Sequence, residues 1–264
     1  MPRPVEITVS VSPTVLEITR VAAESFTRSA VQAVEARGQA RIAISGGSTP
    51  RTVFALLADA EQPFRARVPW DHLQLFWVDE RCVGPDDPES NYGMTRDAML
   101  SKLPLPATNI HRMEGELDPQ EAAARYEAEL RHAFRLEGAE TPTFDLIMLG
   151  LGEDGHTASL FPHTSALSEV ARLCIANHVP EKDVWRVTLT WPVIIQAREV
   201  AFLIEGASKA EMVRTIFAGT YDPETYPAQL IRPANGRLNL LLDSAAARLL
   251  PGLPVDGISK LELS

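Results

Sequence analysis

The sequence FDLIMLGLGEDGHTASLFP, at residues 144–162, is an apolar run followed at once by a polar segment rich in glycine. An uninterrupted apolar run is typical of a strand that is buried on both faces of a sheet. Further strands are predicted at residues 5–11, 40–44, 73–78, 186–190, 199–205 and 238–242. Because these strands alternate with helical stretches, the sequence predicts an α/β fold with a mostly parallel sheet and helices on both faces.

The stretches between the strands carry helix signals. A helix is expected from Pro13 to Arg37 and ends before Gly38, since glycine commonly terminates helices. Residues 119–137 read as an amphipathic helix. Thr49 is expected to cap the helix that follows residues 40–44. These signals are spread along the chain without a visible linker, so we expect one domain over residues 1–264.

Composition limits the classes of protein that fit. The chain has 264 residues, of which 45% are hydrophobic, and this is typical of a globular protein. Its 35 acidic and 25 basic residues give a net charge of −10, which argues against a nucleic-acid partner. Two cysteines, Cys82 and Cys174, do not support a disulfide scaffold. No run approaches the roughly 20 apolar residues of a membrane span, and no signal peptide is visible, so we expect a cytoplasmic protein without a membrane partner.

Three polar motifs follow predicted strands directly. They are SGGSTP at residues 45–50, DER at 79–81 and GEDGHTAS at 152–159. In parallel sheets of this kind, ligands bind beyond the carboxyl ends of the strands. The three motifs are therefore expected to meet in one functional site.

The SGGSTP motif has the composition of a phosphate-binding loop. Gly46 and Gly47 allow a tight turn, while Ser45, Ser48 and Thr49 add hydroxyl groups. The amides and the positive dipole at the start of the next helix favour an anion. The motif is neither a Walker A sequence nor GxGxxG. A plain turn between a strand and a helix is an equally good interpretation of this motif alone.

Asp154 and His156 are candidates for acid–base catalysis. Histidine accepts a proton from water near neutral pH, and a nearby carboxylate orients the imidazole ring. A loop histidine without a catalytic role is the alternative, but the density of polar residues after a buried strand favours function. The glycine spacing at residues 150–155 does not fit a dinucleotide fingerprint.

Several other residues are weaker candidates. Asp79 and Glu80 are possible acid–base groups, and Arg81 has the planar fork that binds phosphate or carboxylate. An ion-paired loop is the alternative for all three. Lys209 stands at the start of a predicted helix, where the dipole disfavours a cation, and this points to a ligand. Arg186 either lines the same pocket or is a solvated residue at the edge of its strand.

Other reaction types find little support. The histidines show no HExxH or paired-ligand spacing, so no metal site is predicted. The GxSxG motif of serine hydrolases is absent. Ser159 is therefore interpreted as a hydroxyl at a helix start.

Taken together, five segments resemble the 6-phosphogluconolactonase family. They are SGGSTP at 45–50, DERCVGPDDPESN at 79–91, LGLGEDGHTASLFP at 149–162, RVTLT at 186–190 and FLIEGASKA at 202–210. The motifs occur in the family's order and span nearly the whole chain. The resemblance implies an open, Rossmann-like α/β fold related to the glucosamine-6-phosphate deaminases. It also implies hydrolysis of 6-phospho-D-glucono-1,5-lactone to 6-phospho-D-gluconate, the second step of the oxidative pentose phosphate pathway, without a metal or organic cofactor.

The resemblance also implies roles for individual residues. His156 is the general base, Arg81 and Lys209 hold the phosphate of the lactone, and residues 45–49 line the site. On this basis Asp154 orients His156, and amides of residues 150–155 or Arg81 stabilise the oxyanion. A monomer or a small homo-oligomer fits the family.

Two other functions stay open from the sequence. An amino-sugar-6-phosphate isomerase or deaminase would use Asp79 as its base. A sugar-phosphate sensor without catalysis would not need both Asp154 and His156.

Overall fold

The computed structural model describes residues 5–253 and 256–263. These residues form eleven strands, β1 to β11, at Val5–Ser12, Ala40–Ile44, Leu73–Trp77, Asp79–Arg81, Ile110–His111, Leu146–Leu149, Cys174–Val179, Val184–Leu189, Glu199–Ile204, Arg237–Asp243 and Gly257–Leu263. They also form eight α-helices, α1 to α8, at Val15–Arg37, Ser48–Ala58, Pro63–Arg67, Asn91–Ala98, Pro119–Phe134, Trp191–Ile195, Ala210–Ala218 and Ser244–Ala247.

Eight of the strands form one sheet in the order β11-β1-β10-β9-β6-β2-β3-β5. Every pair in this sheet is parallel except β1 with β11, which is antiparallel. A smaller antiparallel sheet, in the order β4-β8-β7, packs beside the carboxyl ends of the central strands. The predicted α/β fold with a mostly parallel sheet is confirmed.

Side chains of the central strands alternate between two cores. Ile42 and Ile44 pack with α1 and α2 on one face, while Ala43 between them packs on the other. That second face is covered by α5, α7 and the smaller sheet. Because both faces are buried, the central strands carry apolar residues at successive positions.

The ends of α1 show why this segment forms a helix. Thr14 and Glu17 form a capping box at its start, and Gly38 adopts a left-handed conformation with φ 77° at its end. The predicted helix is therefore confirmed, with Val15 as its first residue. No helix within residues 5–253 and 256–263 has the length and apolar character needed to cross a membrane.

One local expectation is wrong and another is incomplete. Thr49 does not cap α2, because Gly47 is the N-cap and the helix begins at Ser48. Gly47 has a φ of 116°, which glycine adopts readily, so the chain turns two residues earlier than predicted. The DER motif is not only the polar segment that follows the third strand, since β3 ends at Trp77 and residues 79–81 form β4, which pairs with β8 in the smaller sheet.

Candidate active site

The loops after β2, β3 and β6 converge at one edge of the large sheet, as the sequence predicted. They surround a cavity of about 270 Å³, here called the His156 cavity, whose wall includes Ser45, Gly46, Asp79, Arg81, Asn91, His156, Phe161, Lys182 and Arg186. A second depression, here called the Lys209 pocket, includes Gly47, Ser48, Thr49 and Lys209. Because both share Gly46, Gly150 and Leu151, the two spaces adjoin.

His156 and Asp154 lie in the loop that follows β6. The Nδ1 atom of His156 is hydrogen-bonded to Oδ1 of Asp154, and the His156 amide donates to the same oxygen at 3.1 Å. Burial opposes ionisation of Asp154, but the hydrogen bonds and charge of His156 outweigh it and lower the pKa of Asp154 to about 2. Since Nδ1 is occupied, Nε2 is the ring nitrogen left without a partner among the described residues.

The His156 ring is also held from its face. Phe161 stacks on it with a centroid separation of 4.0 Å and an interplanar angle of 22°. The Nζ atom of Lys182 lies 4.7 Å from the centroid of the same phenyl ring. Phe161 belongs to one of the motifs but had no predicted role, and Lys182 was not predicted because it belongs to none of them.

Gly152 makes the turn of this loop possible. A Cβ atom at this position would lie 2.1 Å from Nδ1 of His156, so no larger residue fits. Its amide donates to the carbonyl of His156 at 2.8 Å, which closes the loop on itself. The absence of a side chain at Gly152 therefore leaves the space that the imidazole ring of His156 occupies.

Two arginines enter the cavity from the smaller sheet. Arg81 on β4 and Arg186 on β8 are register partners, so their side chains project on the same face. Neither forms an ion pair within the described part of the chain. Burial and the charge of Arg81 lower the pKa of the Arg186 guanidinium. The arrangement brings two guanidinium groups into one cavity of a chain whose net charge is −10, and these groups are able to bind a phosphate.

Asp79 lines the cavity with its carboxylate already engaged. Its Oδ2 atom accepts a hydrogen bond from Ser159 Oγ at 2.7 Å, and its carbonyl accepts one from Asn91 Nδ2 at 2.9 Å. The interpretation of Ser159 as a helix-start hydroxyl is wrong, because its side chain binds Asp79. Asn91 ends the segment at residues 79–91 that carries the family resemblance, but no role in the site was predicted for it.

Glu80 is not an acid–base group of the site. It is 2% exposed, and burial raises its pKa. Its carboxylate accepts hydrogen bonds that hold β4 against the start of α4, from the amides of Arg81, Asn91 and Tyr92 and from the hydroxyl of Ser90. The expectation of a catalytic role for Glu80 is replaced by a structural one.

The SGGSTP motif divides between the two spaces. Ser45 lines the His156 cavity, but its hydroxyl donates to the carbonyl of Met148 at 2.8 Å and is therefore committed to the fold. Ser48 and Thr49 form the first turn of α2 and line the Lys209 pocket. The expected role of the Ser45 hydroxyl in binding a ligand is therefore not supported, whereas the start of α2 does line a pocket beside the cavity.

Lys209 is half-buried beside the start of α2, and its nearest carboxylate oxygen is Oε1 of Glu153 at 4.0 Å. The residues predicted to hold the phosphate together, Arg81 and Lys209, line different spaces that share a boundary. A ligand that uses both must span that boundary.

Comparisons with known proteins agree on one family. Residues 13–240 match the family described as glucosamine-6-phosphate isomerases/6-phosphogluconolactonase. The 6-phosphogluconolactonase of Synechocystis sp. is 45% identical over 81% of this chain and 86% of its own length. The 6-phosphogluconolactonase of Haemophilus influenzae is 40% identical over 79% of this chain and 87% of its own. The structure of 6-phosphogluconolactonase from Trypanosoma cruzi superimposes with a TM-score of 0.79 and 30% identity, covering 93% of this chain and 97% of that one.

Proposed function

Because the chain belongs to the family of glucosamine-6-phosphate isomerases and 6-phosphogluconolactonases, we propose that the His156 cavity and the Lys209 pocket together form its active site. The chain is an enzyme with 6-phosphogluconolactonase activity, which hydrolyses 6-phospho-D-glucono-1,5-lactone to 6-phospho-D-gluconate. One observation supports the assignment of the site above all. The free Nε2 of His156, fixed through Nδ1 by Asp154, stands in a cavity that Arg81 and Arg186 make positive.

His156 is the general base in this proposal. Its Nε2 atom takes a proton from a water molecule while the water oxygen bonds to the lactone carbonyl carbon. Asp154 stays ionised beside the imidazolium and holds the ring in the tautomer that leaves Nε2 free. The tetrahedral intermediate then collapses: the bond from the carbonyl carbon to the ring oxygen breaks, and His156 returns the proton to that oxygen. The carboxylic acid formed ionises to the carboxylate.

The phosphate of the lactone is bound across the boundary of the two spaces. The free amides of Ser48 and Thr49 and the ammonium of Lys209 lie on one side, and Arg81 and Arg186 lie on the other. This grip holds the carbonyl near His156, so that binding energy is used for orientation.

Fewer groups are free to stabilise the oxyanion than the sequence suggested. Among the amides of residues 150–155, those of Gly152 and Gly155 already donate within the loop, to the carbonyls of His156 and Gly152. The guanidinium of Arg81, whose Nη1 donates to the Glu89 carbonyl and is thereby held in place, is the stronger candidate for stabilising the developing charge, and Arg186 and Lys209 then hold the phosphate.

Replacing His156 tests the assignment directly. The lactone is generated in solution by glucose-6-phosphate dehydrogenase, spontaneous opening is subtracted, and EDTA is present. We expect His156→Ala to lose at least about a hundredfold in kcat, as is usual for a general base. The matched control His72→Ala removes an exposed imidazole outside both spaces and should keep wild-type activity. A His156→Ala variant as active as wild type would remove His156 from the mechanism.

The isomerase or deaminase alternative is not favoured, since several relatives over most of the chain are lactonases. The Asp79 carboxylate it would use as its base is bound to Ser159. Ammonia release from glucosamine 6-phosphate is therefore expected to be absent. Turnover of the lactone by the purified chain would exclude a sugar-phosphate sensor without catalysis.

Four properties stay predictions from the sequence: a single domain over residues 1–264, a cytoplasmic location, a monomer or small homo-oligomer, and a reaction without metal or organic cofactor. Light scattering of the purified chain and activity after dialysis against EDTA test the last two.

A further inference from the structure

A second cavity opens on the other side of the large sheet from the His156 cavity, at the amino ends of its strands. It has a volume of about 620 Å³ and lies where β2, β3 and β5 begin. Its wall includes Arg41 near the start of β2, His111 in β5 and Arg135 just after α5. Because parallel strands keep their amino ends together, this space, here called the Arg41 cavity, is separated from the His156 cavity by the length of the strands. None of its residues has a part in the proposed reaction.

Arg41 brings a positive charge into this cavity without a matching carboxylate. The Nε atom is buried and has no hydrogen-bond partner. Nη2 has a long contact of 3.4 Å with the carbonyl of Ala133, and the guanidinium lies 4.6 Å from the centroid of Phe134. The nearby carboxylate of Asp145 is taken by Arg37 at 2.7 Å and by the Arg41 backbone amide at 2.8 Å. Within residues 5–253 and 256–263 the guanidinium of Arg41 forms no ion pair.

Arg135 adds a second unpaired charge. It is exposed, and it forms no ion pair with the part of the chain that the structure describes. Its backbone is left-handed, with φ 54°, which is uncommon for a residue other than glycine. Burial, followed by the charges of Arg135 and Arg37, lowers the pKa of Arg41, while Asp145 opposes that change. Two guanidinium groups thus repel each other across a space that is open to solvent.

The other ionisable groups of the wall that have partners are bonded to residues other than Arg41 and Arg135. Glu129 is bonded to Nδ1 of His111 at 2.6 Å, while Nε2 of His111 contacts Oε1 of Gln74 at 2.7 Å. Arg131 pairs with Glu127 outside the cavity wall at 3.1 Å. The carbonyl end of α5 attracts cations and accounts for basic residues on that helix. It accounts for the contact of Arg41 Nη2 with the Ala133 carbonyl, but it leaves Nε of Arg41 without an acceptor.

We propose that the Arg41 cavity is a second anion site, which binds a phosphate group between the guanidinium groups of Arg41 and Arg135. Planar guanidinium groups match the oxygens of phosphate, and a dianion removes the repulsion between the two arginines. The exposed hydroxyl of Thr108 and the imidazole of His132 supply further donors at the wall. This inference goes beyond the proposed function and does not depend on it.

Calorimetric titration with two probes tests the site. Inorganic phosphate and phenyl phosphate are titrated into the wild-type chain and into Arg135→Gln, with chloride at matched ionic strength as the blank. The variant Lys209→Ala weakens phosphate binding at the active site and leaves the Arg41 cavity untouched. Because the imidazoles of His111 and His132 lie in the cavity wall, their NMR signals report binding at this place.

We expect saturable binding in wild type and in Lys209→Ala, with shifts of the two imidazole signals. Arg135→Gln should weaken it about tenfold, the loss of one charged hydrogen bond. The control Arg20→Gln removes an exposed charge on α1 and should change nothing. The tighter of the two probes identifies the ligand as free phosphate or a phosphomonoester. Equal affinity in wild type and Arg135→Gln, or signal shifts that chloride reproduces, would overturn the proposal and leave Arg41 as a cap of α5 only.

Discussion

Arg81 and Arg186 stand opposite each other on antiparallel strands, and both side chains line the cavity that contains His156. The smaller sheet therefore positions two cations at the carboxyl ends of the parallel strands. Burial, and after it the charge of Arg81, lowers the pKa of the Arg186 guanidinium, so the charge of each arginine disfavours that of the other. A bound phosphate attracts both guanidinium groups and so outweighs their mutual repulsion, and the pair therefore favours an anionic substrate.

Removing one of these charges should mainly affect substrate binding. We expect Arg186→Gln to raise the KM for the lactone about tenfold, because a charged hydrogen bond to phosphate is lost. The decrease in kcat should be smaller, since His156 is unchanged. Steady-state kinetics of this variant beside Arg20→Gln measure both effects, and an unaltered KM would show that Arg186 does not contact the substrate.

Gly152→Ala should damage catalysis by displacing His156. Its new Cβ would lie 2.1 Å from Nδ1 of His156 and would push the ring away from Asp154. We expect kcat to fall about a hundredfold, the effect of displacing a catalytic group by about 1 Å. Gly84→Ala is the matched control, because a Cβ there meets no atom within 4 Å. Circular dichroism verifies that both variants fold, and a Gly152→Ala variant with normal kcat would contradict the proposed position of the base.

The fold could be predicted from the sequence because buried parallel strands leave an unmistakable apolar pattern. Residues 40–44 and 199–205 match β2 and β9 within one residue. The smaller sheet is harder to predict from the sequence. Its strand Cys174–Val179 mixes polar and apolar residues, and its strand Asp79–Arg81 is three residues long. The terminal strand Gly257–Leu263 lies at a sheet edge and carries no apolar run.

The site could be predicted only in outline. The motifs marked the correct edge of the sheet, because strand ends are readable from the sequence. What each side chain binds depends on contacts between distant segments. The Ser45 hydroxyl donates to the Met148 carbonyl, and the Ser159 hydroxyl donates to the Asp79 carboxylate. The Lys182 ammonium lies over the Phe161 ring. None of these contacts has a local sequence signal.

The pairing of Asp154 with His156 should be visible in the pH dependence of stability. The pKa of Asp154 is lowered from 3.8 to about 2 in the folded chain, so the folded state holds this proton less tightly than the unfolded state. The stabilisation is therefore complete above about pH 4 and is lost as the pH falls towards about 2. We expect the difference in unfolding free energy between wild type and Asp154→Asn to shrink over that interval. Urea unfolding at several pH values measures it, with Asp183→Asn at an exposed carboxylate as the control.

A constant difference between wild type and Asp154→Asn from pH 5 down to about pH 3 would contradict the lowered pKa. It would mean that the carboxylate gains nothing from His156 in solution. The same variant should also lower kcat, because the imidazole loses the acceptor that fixes its tautomer.

The contact between Gly46 and Asn91 should appear as an energetic coupling between two loops. A Cβ atom at Gly46 would lie 1.7 Å from Oδ1 of Asn91, so Gly46→Ala overpacks the site and should cost about 1–3 kcal/mol of unfolding free energy. Asn91→Ala loses the hydrogen bond from Nδ2 to the Asp79 carbonyl but makes room for the new methyl group. The loss of unfolding free energy in the double variant should therefore be smaller than the sum of the losses in the two single variants, by about 0.5–3 kcal/mol. Urea unfolding of the four proteins measures this coupling, and strictly additive costs would show that the SGGSTP loop does not rest on Asn91 in solution.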